Sequence, residues 1–247
     1  MGRVVLLGHP VAHSLSPAMH NAAFAALGLR HTYEARDVTA DRLAASIIAL
    51  RDDGWIGANV TVPHKEAALG LVDEAGADAR AIGAVNTIVC RAGRLVGENT
   101  DRSGFAQAIA PRPQGQRVLV LGAGGAARAV IAELAPGNEI IVASRRPEQG
   151  RSLISAVAGG ADQVARAILW DAIADAGPID VLVNATPLGL HGEDAAQLAG
   201  LDQLPRLVVD LIPTARETPL VRRARAEGAA GSRRVVDGLA MLLYQAA

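Results

Sequence analysis

One residue in this sequence is set apart as a candidate for proton transfer. Of the 24 basic residues, 23 are arginine and only Lys65 is lysine. A chain that uses arginine for its other cations keeps a lysine where arginine does not serve. A lysine ammonium can lose its proton in a tuned environment, whereas a guanidinium effectively cannot. Lys65 is therefore a candidate acid or base, although one residue alone is only a lead.

Amide, hydroxyl and acid side chains follow short apolar runs in the same part of the chain. They lie in the segments NVTVPHK, GAVNT and GENTD, which contain Thr61, Asn86 and Asp101. Only six residues of the chain are Phe, Trp or Tyr, so recognition by stacking on aromatic rings is disfavoured. The combination predicts a pocket for a small polyhydroxylated acid.

A loop near the start of the chain adds two hydroxyls. The segment GHPVAHSLSPAM carries Ser14 and Ser16 just before Pro17, a residue type that is favoured at the first position of a helix. Alternate hydroxyls beside a helix start suit a carboxylate. The alternative is that Ser16 only caps the helix.

A glycine-rich turn further on has the form of a dinucleotide site. The run RVLVLGAGGAARAVIAEL is a strand, a turn and an amphipathic helix in immediate succession, with Ala127 in the third glycine position. The start of the helix offers N–H groups to a pyrophosphate. We expect the cofactor contacts here to be Gly122, Ala123, Gly124, Gly125 and Ala126.

The end of the next strand indicates which dinucleotide is bound. An NAD site usually carries an acid there for the ribose hydroxyl, but this chain has Ser144, Arg145 and Arg146. Two guanidiniums and a hydroxyl suit a 2′-phosphate, so the expected cofactor is NADP(H). A solvated arginine pair is the alternative. The later segment VLVNATPLG also ends a strand in polar residues, and a plain strand-to-loop turn explains it equally well.

Strands and helices alternate along the chain, which predicts an α/β protein with buried parallel sheets. We expect two α/β domains that flank a cleft: a substrate-binding domain at residues 1–103 and a Rossmann-type domain at 104–235. A C-terminal helix at 236–247 is expected to return to the first domain. The segment Pro111–Gly115 has the composition of a linker.

Composition excludes several function classes. The formal net charge is −1, which leaves no electrostatic footprint for nucleic acid or an anionic membrane. Cys90 is the single cysteine, no apolar run is long enough to span a bilayer, and no basic leader precedes RVVLLG. We expect a cytoplasmic monomer or homodimer. No metal site is expected, since no ligand spacing connects His9, His13, His20, His31, His64 and His191.

Several motifs occur in one order along nearly the whole chain: SLSPAMHN, NVTVPHK, GAVNT, GENTD, GAGGAAR, SRR, NATPLG and DGLAMLLYQAA. In this combination the sequence resembles the shikimate dehydrogenase family. The resemblance implies the reversible, NADP-dependent reduction of 3-dehydroshikimate to shikimate in the biosynthesis of chorismate and the aromatic amino acids. It also implies roles for particular residues. Lys65 and Asp101 would be the catalytic pair, and Ser14 and Ser16 would hold the substrate carboxylate. The substrate hydroxyls would be bound by Thr61, Asn86, Asp101 and Gln245. Leu211 and Gly238 would contact the cofactor, with Gly238 against the nicotinamide.

The chain departs from the family pattern in three places. Pro213 stands where a substrate-contacting Tyr is usual, Gln149 stands where a basic residue often supports the 2′-phosphate, and further helix is expected beyond Ala247. Arg151 could substitute for the residue missing at 149. Two other functions stay open: a quinate or quinate/shikimate dehydrogenase, and a non-catalytic ligand-binding relative. An intact Lys65 and Asp101 argue against the second.

Overall fold

The computed structural model describes residues 2–51, 54–157, 164–228 and 233–246. Its contacts divide the chain into two compact units, of which the first ends at Thr100 and the second begins at Asp101. This division lies three residues before the boundary expected from the sequence. The linker-like segment Pro111–Gly115 therefore falls inside the second unit.

The first unit is built on a mixed sheet of six strands in the order β2-β1-β3-β5-β6-β4. The strands are Gly2–Gly8 (β1), His31–Asp37 (β2), Trp55–Val60 (β3), Glu74–Ala75 (β4), Thr87–Arg91 (β5) and Arg94–Glu98 (β6). The β1 strand pairs in parallel with β2 and β3, but β5 runs antiparallel to both β3 and β6. The prediction of parallel sheets throughout is therefore wrong for this unit.

A two-residue turn explains the antiparallel part of the first sheet. Strands β5 and β6 are joined by Ala92 and Gly93, which both have positive φ, +48° and +77°. Two successive residues with positive φ form the tight hairpin turn whose twist matches that of antiparallel strands. No helix is needed to connect such strands, so the strand–helix alternation breaks here.

The helices of the first unit are short. They are Ser16–Ala26 (α1), Leu43–Ala49 (α2), Lys65–Leu69 (α3) and Ala77–Ile82 (α4). One apolar core joins β1, β3 and α2 through Val5, Leu7, Ala58 and Ile47, which are at most 2% exposed. This core fixes the carboxyl ends of β1 and β3, where the polar segments begin.

The second unit has a fully parallel sheet of six strands in the order β12-β11-β10-β7-β8-β9. The strands are Arg117–Leu121 (β7), Glu139–Ser144 (β8), Ala165–Leu169 (β9), Val181–Asn184 (β10), Leu207–Asp210 (β11) and Arg234–Val236 (β12). In chain order this is 6-5-4-1-2-3, the doubly wound arrangement of dinucleotide-binding domains. The predicted Rossmann-type domain is confirmed.

Helices cover both faces of this second sheet. They are Asp101–Ala108 (α5), Gly125–Leu134 (α6), Pro147–Val157 (α7), Ala195–Leu198 (α8), Pro219–Glu227 (α9) and Gly238–Ala246 (α10). Two separate apolar cores, one on each face, explain why the strands read as continuous apolar runs. In the part of the chain that the structure describes, no helix has both the length and the apolar character that crossing a membrane requires.

Most of the last helix groups with the second unit. Residues 238–245 of α10 belong to that unit and Ala246 to the first. Met241 joins the core of the second unit, and the backbone of Gln245 lies against Gly104 of α5. The return of this helix to the first domain stays a prediction.

Candidate active site

The first unit places Lys65 at the start of α3. The preceding His64 is 2% exposed, and its Nε2 lies 2.5 Å from the carbonyl oxygen of Val38 at the end of β2. The carbonyl of Lys65 itself accepts a hydrogen bond of 2.8 Å from the backbone N–H of Val85. The backbone is therefore fixed at His64 and at the carbonyl of Lys65, so the Lys65 side chain starts from a defined position.

The loop after β1 arranges the two predicted serines. Ser16 is the first residue of α1 and Leu15 occupies the capping position, so Ser16 does not cap the helix. Instead the hydroxyl of Ser14 accepts a hydrogen bond of 3.3 Å from the backbone N–H of Ser16. Both serines therefore lie at the start of α1, and their binding of a carboxylate stays a prediction.

A chain of side-chain hydrogen bonds runs across the first sheet. Ser16 bonds the hydroxyl of Tyr33, which donates to Oδ1 of Asn59 over 2.8 Å, and Nδ2 of Asn59 donates to Oγ1 of Thr87 over 3.1 Å. Burial raises the pKa of the Tyr33 phenol far above its ordinary value, so this group stays a hydrogen-bond donor at all physiological pH.

Asn86 continues this network. Its Oδ1 accepts from the hydroxyl of Thr87 at 3.0 Å and from the backbone N–H of Thr100 at 2.9 Å, and its Nδ2 donates to the hydroxyl of Thr100 at 3.0 Å. The network thus connects Ser16, at one side of the sheet, to Asn86. Sequence reasoning found Asn86 but missed Tyr33, because nothing in its neighbourhood distinguishes it from a core aromatic residue.

Thr61 sits where β3 ends. Its N–H donates to the carbonyl of Leu7 at 2.9 Å, and its methyl group lies 2.3 Å from where a Cβ on Gly8 would be. Any larger residue at position 8 would displace Thr61. The structure thus places Ser14, Ser16, Thr61, Lys65 and Asn86 in one unit, around the loops that follow β1, β3 and α4.

The second unit contains the other two predicted substrate ligands. Asp101 begins α5 and is 1% exposed, and Gln245 lies in α10. A Cβ on Gly104 would stand 2.7 Å from the backbone nitrogen of Gln245, so α5 and α10 touch backbone to backbone. The pairing of Asp101 with Lys65 stays a prediction.

The glycine-rich turn has the shape of a phosphate cradle. Gly122 has φ of +97°, and a Cβ there would lie 2.9 Å from the methyl group of Thr186. Gly124 is different, because a Cβ there would meet no atom within 4 Å. Gly125 then starts α6, whose first N–H groups point to this open space. With Ala123 and Ala126 beside them, these residues fit a pyrophosphate.

The turn after β8 carries the predicted 2′-phosphate ligands. Arg145 and Arg146 are both exposed. The hydroxyl of Ser144 donates to the carbonyl of Arg146 at 2.8 Å, so it braces the turn. Binding of a 2′-phosphate by Ser144 and the two guanidiniums stays a prediction.

A buried polar network that the sequence analysis missed lies at the ends of β10 and β11. Asn184 and Asp210, at 0% and 1% exposure, bond each other, and Asp210 accepts a hydrogen bond of 2.6 Å from the hydroxyl of Thr218. Burial raises the pKa of Asp210. The sequence feature that could have revealed this network is Asp210, an acid at the end of the otherwise apolar run LVVD.

Position 238 requires a glycine because the backbone of Ile212 lies very close to it. A Cβ there would lie 2.3 Å from the carbonyl carbon and oxygen of Ile212. The adjacent Leu211 is held by its N–H, which donates to the carbonyl of Asn184 at 3.0 Å.

Within the described ranges, no three His, Cys, Asp or Glu side chains gather as a possible metal ligand set.

Comparisons with known proteins agree with this geometry. Residues 6–88 match the family described as "Shikimate dehydrogenase substrate binding domain". The shikimate dehydrogenase (NADP(+)) of Methanopyrus kandleri is 42% identical over 99% of this chain and 87% of its own length. That of Symbiobacterium thermophilum is also 42% identical, over 100% and 87%. The structure is similar to the crystal structure of shikimate 5-dehydrogenase from Thermus thermophilus in complex with NADP(H) and shikimate. The TM-score is 0.81 at 38% identity, covering 99% of this chain and 90% of that one.

Proposed function

The chain belongs to the shikimate dehydrogenase family, and on that premise we propose that it catalyses the reversible, NADP-dependent reduction of 3-dehydroshikimate to shikimate. This reaction belongs to the biosynthesis of chorismate and the aromatic amino acids. The observation that carries the proposal is the position of the single lysine. Lys65 lies at the start of α3, four residues after Thr61, and its carbonyl accepts from the N–H of Val85, the residue before Asn86.

The cofactor supplies the hydride for this reduction. The open space at Gly124 and the first N–H groups of α6 would hold its pyrophosphate. Arg145 and Arg146 would bind the 2′-phosphate through charge-assisted hydrogen bonds, which selects NADP over NAD because no acid stands at the end of β8.

The substrate would be held mainly by the first unit. Ser14 would donate to its carboxylate at the start of α1, and Ser16 would do so after giving up its bond to Tyr33. The ring hydroxyls would be bound by amide, hydroxyl and carboxylate side chains, which are Thr61, Asn86, Asp101 and Gln245.

Lys65 would be the acid and base. As a ketone carbon is reduced, negative charge grows on its oxygen, and the ammonium of Lys65 both stabilises that charge and donates the proton. Asp101 would orient the amine. In the oxidation of shikimate, Lys65 accepts the proton of the alcohol.

The direct test is a spectrophotometric assay of the purified protein. Shikimate and quinate are each offered with NADP+ and with NAD+, and formation of the reduced cofactor is followed by its absorbance. We expect the highest kcat/KM with shikimate and NADP+. Preference for quinate would make the protein a quinate dehydrogenase, and binding of both ligands without turnover would make it a non-catalytic relative.

A cytoplasmic location is part of the proposal. It is supported by a single cysteine, Cys90, which is unpaired, as is usual in a reducing compartment. Monomer and homodimer are separated by light scattering on a gel-filtration column.

A further inference from the structure

The carboxylate of Asp210 holds together three parts of the second unit. Its Oδ1 accepts from Nδ2 of Asn184 at 3.1 Å and from the backbone N–H of Ile212 at 3.2 Å. Its Oδ2 accepts from the hydroxyl of Thr218, the capping residue of α9. One side chain at the end of β11 thus ties β10, the loop after β11 and the start of α9.

Asn184 makes the corresponding connections at the end of β10. Its Oδ1 accepts from the backbone N–H of Thr186 at 3.1 Å and from the hydroxyl of Thr186 at 2.6 Å. Its Nδ2 also donates to the carbonyl of Leu188 at 2.9 Å. These bonds leave the loop over residues 185–188 a single arrangement on the edge of the sheet.

Both loops press on glycines of the cofactor site. The methyl group of Thr186 lies 2.9 Å from the position that a Cβ on Gly122 would take, in the turn expected to hold the pyrophosphate. The carbonyl of Ile212 lies 2.3 Å from the position that a Cβ on Gly238 would take. The two buried side chains therefore set the distance between these loops and the glycines they contact.

The sheet topology indicates which half of the cofactor these two loops face. A doubly wound sheet binds a dinucleotide across its two halves. Arg145 and Arg146 follow β8, which places the adenosine half of NADP on the β7–β9 side. The loops after β10 and β11 then face the nicotinamide half.

We infer that Asn184 and Asp210 are positioning residues that hold these two loops in the arrangement required by the nicotinamide half of the cofactor. The inference rests on the proposed function. A purely structural role needs no buried acid. At the amino ends of the strands of the same sheet, Asn138 holds its loops through its side-chain amide alone. It accepts from the N–H of Gln116 and donates to the carbonyls of Pro113 and Leu134.

Asn138 provides a matched control. Asn184→Ala and Asn138→Ala each remove a buried amide with several hydrogen bonds to loops, so both should lower the melting temperature. Only Asn184→Ala should lower kcat with shikimate and NADP+, by about 10- to 100-fold. NADPH binding, measured by the fluorescence of the nicotinamide, should weaken by about tenfold in this variant alone. Binding of adenosine 2′-monophosphate, which has the adenosine and 2′-phosphate of NADP but no pyrophosphate, should be unchanged in both when it is measured by calorimetry.

Equal effects of the two substitutions on kcat and NADPH binding would overturn the inference. So would a loss of adenosine 2′-monophosphate binding in Asn184→Ala as large as its loss of NADPH binding. If Asn184→Ala does not fold, Thr218→Val and Thr218→Ser replace it. We expect the valine, which cannot donate to Asp210, to weaken NADPH binding and the serine to restore it. Failure of the serine to restore binding counts against the inference. A wild-type protein that binds NADPH but does not oxidise shikimate would defeat the proposed function and leave the binding comparison to decide this inference.

Discussion

The two sheets of this protein place their polar side chains in different ways. In the four central strands of the second sheet the strand interiors are apolar, and the polar residues Ser144, Asn184 and Asp210 are the last residues of their strands. In the first sheet, polar side chains lie within the strands, as Tyr33 does in β2 and Asn59 in β3. Side-chain hydrogen bonds therefore connect strand interiors in the first sheet, whereas in the central strands of the second sheet they connect strand ends, as Asn184 and Asp210 do.

This difference separates two tasks. Backbone N–H groups and glycines at strand ends can cradle a cofactor that is the same in many proteins. A specific polyhydroxylated substrate instead needs amide, hydroxyl and amine groups held in fixed directions, which side-chain networks provide. On the proposed function, the reacting amine would belong to the first unit and the cofactor contacts largely to the second.

The largest test of this assignment is Lys65→Arg. Arginine keeps the positive charge but cannot give up its proton, so kcat should fall by about 10²- to 10⁴-fold. The melting temperature and the binding of shikimate should be nearly unchanged, because Lys65 is anchored through its backbone. Steady-state kinetics and calorimetry measure this, and near-normal turnover would end the assignment of Lys65.

The double substitution Arg145→Ala with Arg146→Ala tests the cofactor side. Loss of charge-assisted hydrogen bonds to the 2′-phosphate, each about 1.5–3 kcal/mol, should weaken NADP+ binding by at least about tenfold. Binding of NAD+, which has no such phosphate, should be unaffected. If the KM for NADP+ is unchanged, the two arginines are only a solvated pair.

Tyr33→Phe tests whether side-chain bonds stabilise the first sheet. The substitution removes the donor to Asn59 and the bond with Ser16, which should lower the free energy of unfolding by about 1–2 kcal/mol. The kcat should be unchanged, since Tyr33 supports the site without reacting. Urea denaturation and kinetics at saturating shikimate give the two values, and an unchanged stability would contradict the comparison.

The smallest expected effect is a pH dependence that belongs to the second sheet. Burial raises the pKa of Asp210 above its unfolded value, so the folded state binds this proton more tightly. Wild type should therefore lose stability relative to Asp210→Asn as the pH rises from about 4, the ordinary pKa of an aspartate. Urea denaturation of both proteins from pH 4 to 7 measures the difference. Tyr33→Phe should show no such trend, because the Tyr33 phenol stays neutral throughout that range.

What the sequence predicts well in this protein is local. The glycine turn, the two arginines and the apolar strands of the second sheet are read from contiguous residues, and the Rossmann-type unit follows. Strand β6 and the antiparallel half of the first sheet were missed, because they depend on a turn whose first residue, Ala92, is an unusual one for positive φ.

The site residues divide along the same line. Thr61, Lys65 and Asn86 could be proposed from motifs, but the network through Tyr33 and Asn59 joins residues far apart in the chain, which spacing does not reveal. Ser144 is predicted to bind the 2′-phosphate, and the structure shows in addition that its hydroxyl donates to the carbonyl of Arg146 in the same turn. Hydrogen-bond partners of this kind become known only when the backbone is in place.

The contact between Gly104 and Gln245 has a practical consequence for anyone who alters the C-terminal helix. Because α5 rests on the last turn of α10 with no side chain at Gly104 to fill the space, trimming that turn would uncover the helix that Asp101 begins. In a truncated protein the carboxylate of Asp101, the proposed partner of Lys65, would then be less well positioned, although the deletion does not include that residue.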